Sequence, residues 1–179
     1  MSRGWSYRGV GVLVSPTADI PSPFRPRQQL AGVVQTCLDQ IEPWQGKDYI
    51  IAESHFSREK FRAIVVEVTP GARIIWGVHK GHKAQRPQVS PFVDAGHVTT
   101  QDFTLELEGT ASRPRLVRAY PGTYTPPLPW QASARDVDGG VRECQRFWQT
   151  HAYLWNSNIV RPGSAVPRPP DWWRGRRAA

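Results

Sequence analysis

Residues Phe61 to Lys83 read FRAIVVEVTPGARIIWGVHKGHK. From Phe61 to Val68 nearly every position is β-branched or apolar, the pattern of a strand covered on both faces. Thr69, Pro70 and Gly71 supply turn chemistry, and Arg73 to His79 carries Ile74, Ile75, Trp76 and Val78 as a second strand. The pair is expected to form a central hairpin. Its far end breaks into His79, Lys80, Gly81, His82 and Lys83, a basic tip rich in imidazole.

Upstream of that hairpin, Val10 to Val14 predicts a first strand and the proline-rich run Ser15 to Pro26 an extended loop. Leu30, Val33, Val34, Cys37, Leu38 and Ile41 then recur at helical spacing behind Pro26, and Pro43 and Gly46 close the helix. Asp48 to Glu53 reads as a short strand and Ser54 to Lys60 as a loop. Downstream, Ala84 to Gly96 lacks periodicity and is expected to be a surface loop. Phe103, Leu105 and Leu107 alternate with Asp102, Thr104, Glu106 and Glu108, which predicts an antiparallel strand buried on one side. Arg115 to Tyr120 returns the chain, with Arg118 on the same face as Leu116 and Tyr120.

The segment Tyr120 to Trp130, YPGTYTPPLPW, reads as a packed crossing loop. The alternative is that the Pro-rich residues 121–130 dock on a protein partner as polyproline II. After Asp138-Gly139-Gly140, a stripe of Val141, Cys144, Trp148, Ala152 and Trp155, with Phe147, His151 and Leu154 beside it, predicts a second helix laid over a sheet. His151 is expected to be a hydrogen-bonded core histidine. These elements sum to an α+β fold: a single domain over residues 1–160, with a largely antiparallel or mixed sheet built from hairpins and two amphipathic helices packed on one face. A Pro-, Arg- and Trp-rich tail occupies residues 161–179.

The chain has 179 residues, an apolar content of 39% and 17 prolines, which places it among globular proteins with long irregular connections. No run of apolar residues is long enough to span a membrane. Gly9 to Val14 is too short for the apolar region of a signal peptide, so a soluble, cytoplasmic protein is expected. Cys37 and Cys144 sit on the apolar faces of the two predicted helices and read as buried thiols.

A net charge of +8, from 23 Lys and Arg against 15 acids, favours a polyanionic partner such as RNA or single-stranded DNA. An Arg- and Pro-rich composition is also what a GC-rich genome produces. In the tail, arginines neutralise phosphates and the adjacent indoles of Trp172 and Trp173 suit stacking on bases. Lys80, Lys83, Arg86, Arg115, Trp172, Trp173, Arg174, Arg176 and Arg177 are therefore the candidate nucleic-acid-binding residues.

No Walker loop, GxGxxG, HExxH or GxSxG motif is present. A metal site at His79 and His82 would need a third ligand from His97 or His55, and Lys80 and Lys83 would repel the cation; no metal or other cofactor is expected. Metal-independent ribonuclease chemistry fits better. His82 and His97 would exchange protons with the 2′-hydroxyl and the leaving oxygen while Arg118 steadied the phosphorane.

Tyr7-Arg8-Gly9, followed by Ser54 and Ser57 and then Glu106-Leu107-Glu108, resembles the motif order of arginine–serine–glutamate ADP-ribosyltransferases. The resemblance implies NAD as substrate, with Arg8 on its phosphates and Glu106 or Glu108 orienting the ribose. The run Ser54-His55-Phe56-Ser57 departs from that family's serine–threonine–serine run. A third class is a non-enzymatic assembly or interaction protein of a virus or mobile element. The sequence favours a basic nucleic-acid-binding protein and leaves open whether it is an enzyme.

Overall fold

The computed structural model describes residues 4–19, 27–46, 48–58, 60–78, 89–155 and 169–175. Among them are two α-helices and twelve strands in four antiparallel or mixed sheets, so the fold is α+β. The chain divides into two compact units, Met1–Arg62 with Thr99–Tyr124, and Ala63–Val98 with Thr125–Ala179.

The first unit begins with the hairpin β1 (Ser6–Tyr7) and β2 (Val10–Gly11), followed by β3 (Leu13–Asp19), α1 (Arg27–Gln40), β4 (Tyr49–His55) and β5 (Phe61–Arg62). Later in the chain, β9 (Thr99–Thr100) pairs with β5, and β10 (Asp102–Thr110) and β11 (Arg113–Pro121) form a long hairpin. The main sheet has the order β3-β11-β10-β4. Alternation in β10 sends Phe103, Leu105 and Leu107 to one side, where they meet Val33, Val34, Cys37 and Leu38 of α1 and Leu116 and Ala119 of β11. Each fully buried leucine or phenylalanine here contributes roughly 2 kcal/mol of transfer free energy. Gln35, one of the polar residues of α1, clamps β1 to the helix by bonding both Ser6 N (3.1 Å) and Ser6 O (2.9 Å). The Tyr7 hydroxyl donates to Glu42 O and accepts from Trp44 N, fixing the chain where α1 ends.

The second unit holds β6 (Val65–Glu67), β7 (Ile74–Val78), β8 (Val89–Val93), α2 (Gly140–Thr150) and β12 (His151–Leu154). Its sheet runs β6-β12-β8-β7. The expected central hairpin is therefore split. The two apolar stretches lie at opposite edges of this sheet, with β12 and β8 inserted between them. Continuous apolar runs want cover on both faces but do not say which strand lies beside them, and here β6 takes β12 while β7 takes β8.

Three further expectations change. Residues Val89–Val93 form a buried strand where a loop was expected, because β7 supplies a complete antiparallel partner from Ile74↔Val93 to Val78↔Val89. β3 continues past Val14 to Asp19 because it pairs in parallel with β11. The second helix stops at Thr150 rather than continuing to Trp155; His151 turns extended (φ −128°, ψ 153°), and β12 pairs with both β6 and β8. α1 belongs to the first unit and α2 to the second.

Candidate functional site

The face of the first unit's main sheet turned away from its apolar core is polar. β10 places Asp102, Thr104, Glu106 and Glu108 there, β4 places Tyr49, Ile51, Glu53 and His55 opposite them, and Arg118 of β11 lies opposite Glu106. Glu106 is only 3% exposed. Its Oε1 accepts from Arg118 Nη1 at 2.8 Å and from the Tyr120 hydroxyl at 2.8 Å, while the Tyr49 hydroxyl donates to Oε2. The Arg118 guanidinium also lies 4.5 Å from the Tyr120 ring centroid. Burial, with the hydrogen bond to Glu106 and the charge of its carboxylate, pushes the Tyr49 hydroxyl far above the ordinary tyrosine range. Three donors converge on one buried carboxylate, so Glu106 is held inside an ion-paired hydrogen-bond network.

The same face carries a second pair toward its end. His55 Nδ1 lies 2.8 Å from Asp102 Oδ1, and Asp102 Oδ2 accepts from Thr100 Oγ1 at 3.3 Å. Asp102 thus orients an exposed imidazole, an arrangement able to carry a proton. Four residues of strand separate Asp102 from Glu106, about 13 Å at ~3.3 Å per residue, so His55 and Arg118 are too far apart to grip one phosphate. Beyond these pairs, Thr104 Oγ1 donates to Gly122 O at 2.7 Å and Glu53 Oε1 accepts from Tyr124 N.

In the second unit, aromatic side chains form a continuous series. Trp130 and Trp172 have ring centroids 6.2 Å apart, Trp172 and Trp173 are 5.9 Å apart, and Trp173 meets buried Trp76 edge-on at 5.2 Å. Gln149 of α2 donates to Trp172 O at 2.7 Å, so residues Asp171–Gly175, a 3₁₀ turn, are tied to the helix. Trp173 is thus a packing residue, while Trp130 is 41% exposed. The second half of the Pro-rich segment is anchored within the second unit: Trp148 Nε1 donates to the carbonyls of both Pro126 and Pro127 at 3.1 Å, and Leu128 is buried. His151 bonds Phe147 O at 2.9 Å and stacks on the Phe147 ring, a structural role. Cys37 and Cys144 are buried and unbridged, and burial raises the Cys144 thiol.

Of the residues singled out from sequence, His79, Lys80, His82, Lys83, Arg86, Arg176 and Arg177 lie outside the described residues. His97 follows β8 in the second unit, whereas Arg115 and Arg118 belong to the first. Arg115 pairs with Glu108 at 3.2 Å. Arg174 lies in the terminal 3₁₀ turn. Arg8 is not on a strand; it occupies the tight turn between β1 and β2 at φ 48°. Ser54 faces the core opposite Phe103, while Glu106 is on the other side of the sheet, so these two side chains do not meet. Among the described residues no three His, Cys, Asp or Glu side chains are grouped to hold a metal ion, and no helix is long and apolar enough to cross a membrane.

Sequence reasoning missed the roles of Tyr49 and Tyr120 and the pairing of His55 with Asp102. Alternation in 102–108 had put Glu106 on the polar face, but the partners come from strands whose register no local pattern encodes. Comparison of the chain with protein-family models, with curated proteins and with solved structures returns no match.

Proposed function

We propose that the protein binds single-stranded nucleic acid through its second unit. The observation that carries this reading is the division of charge. The second unit has 12 Lys and Arg against 6 acids, and the first has 11 against 9. Most of the surplus +8 therefore belongs to one unit. Arg135, Arg142 and Arg146 are exposed there, and Trp130 offers part of its ring to solvent. Cations release condensed counterions from a phosphate chain, and an exposed indole stacks on an unpaired base.

Binding of labelled single-stranded RNA and duplex DNA, measured at several salt concentrations, tests it. The wild type should prefer the single strand and lose affinity steeply with salt. Changing Lys80, Lys83, Arg174 and Arg176 to Ala should weaken binding and flatten the slope of log affinity against log salt by about 3, at ~0.7 per phosphate contact. Unchanged affinity would remove the electrostatic basis of the proposal. A gel of the recovered RNA reads cleavage in the same samples. Cut RNA would extend the proposal to a metal-independent ribonuclease, with His82 and His97 the first variants to make; intact RNA would leave a binding protein.

A further inference from the structure

Strand β4 is an edge of the first unit's main sheet, and its backbone is arranged to accept another strand. Gly109 N donates to Asp48 O and Phe56 N donates to Gln101 O, which fixes the phase of the ladder. With the unbroken register from Tyr49↔Glu108 to His55↔Asp102, the even-numbered residues bond to β10. The N–H and C=O groups of Tyr49, Ile51, Glu53 and His55 therefore point away from the sheet, and none has a backbone partner among the described residues. Natural edges are blunted by proline, lysine or a bulge. The opposite edge, β3, has Pro16 and a register shift against β11. β4 has none of these, and its Tyr49 and Ile51 are 42% and 41% exposed.

We infer that β4 is a self-association edge at which a second copy of this chain pairs antiparallel, about a two-fold axis at Ala52. That register sets Tyr49 opposite His55 of the other copy, Ile51 opposite Glu53, and Ala52 opposite itself. All four outward residues become hydrogen-bonded pairs in both copies at once, for about eight backbone bonds. The residue at the axis is the smallest in the strand, and no like charges face each other. Parallel pairing in register would set Glu53 beside Glu53 and His55 beside His55, which is unfavourable. The contact is isologous and closes at two copies, joining the main sheets into one of order β3-β11-β10-β4-β4-β10-β11-β3.

The test uses the full chain. Sedimentation should show a concentration-dependent dimer, and hydrogen exchange should show the amides of Tyr49, Ile51, Glu53 and His55 gaining protection as concentration rises. Ile51→Pro removes an N–H that the monomer does not use, and Ile51→Lys adds an edge charge; both should abolish the dimer while leaving thermal unfolding of the monomer in place. Ala52 pairs lie at the close, non-hydrogen-bonded spacing of about 4.5 Å between Cα atoms, within disulfide range. Ala52→Cys should therefore form a covalent dimer under mild oxidation, and Ser54→Cys, facing Ile50, should not. A monomer at every concentration overturns the inference, even where β4 takes up a strand from another protein. So does a dimer unaffected by Ile51→Lys that fails to cross-link at position 52.

Discussion

Tyr49 stands between solvent and the buried Glu106 carboxylate, and its hydroxyl is the only donor on Oε2 among the described hydrogen bonds of that residue. Its folded-state ionisation is raised, first by burial and then by Glu106. A group raised in the folded state adds stability below its unfolded value and loses it as pH climbs through the folded one. The window therefore opens near pH 10, the ordinary tyrosine value, and extends upward. Tyr49→Phe should cost about 1–2 kcal/mol at neutral pH, as expected for a hydrogen bond to a charged acceptor. The gap between wild type and variant should narrow above pH 10, because only the wild type then gains from ionising on unfolding. Denaturant unfolding at neutral and alkaline pH checks this, and a gap that stays constant across the range would show that the bond to Glu106 does not control the proton. Removing the cation instead, by Arg118→Ala, should cost more, about 2–4 kcal/mol, since a buried carboxylate loses its ion pair.

At the scale of elements, the β10–β11 hairpin was legible because it is local. Alternation fixed which side chains of β10 face the core, and Ala111-Ser112 closes the turn between Thr110 and Arg113. Gly109 is held at φ +97°, and a Cβ there would lie 2.6 Å from the carbonyl oxygen of Arg113. Gly109→Ala should therefore destabilise the protein by about 2 kcal/mol or more, from backbone strain and a contact that backbone cannot relieve. A melting temperature within error of wild type would mean the hairpin end can open. α1 was equally readable from its apolar spacing. What sequence could not supply was pairing at a distance. Nothing in Val65–Glu67 or Ile74–Val78 names β12 and β8 as neighbours, and the apolar stripe through His151 and Leu154 suits helix and strand alike. The same limit hid the candidate site: Glu106 and Arg118 were visible singly, but Tyr49 reaches them only because β4 pairs with β10 across some fifty residues of chain.

For the whole molecule, the question is whether net charge acts as a diffuse attraction or as a located surface. Arg142 and Arg146, exposed one turn apart on α2, belong to the basic unit, while Arg113 and Arg115, exposed on β11, belong to the nearly balanced one. Each pair removes two positive charges when changed to Ala, so the two variants have the same net charge. If binding read only that total, both would weaken it equally through the long-range field. Under the proposed function, Arg142→Ala with Arg146→Ala should lower the salt slope for single-stranded RNA by about 1.4, at ~0.7 per contact, and weaken binding several-fold at low salt. Arg113→Ala with Arg115→Ala should leave the slope where it was. Equal losses from both pairs would make the basic balance a property of composition, and a loss confined to the first unit's pair would move the binding surface to the polar sheet face around Glu108.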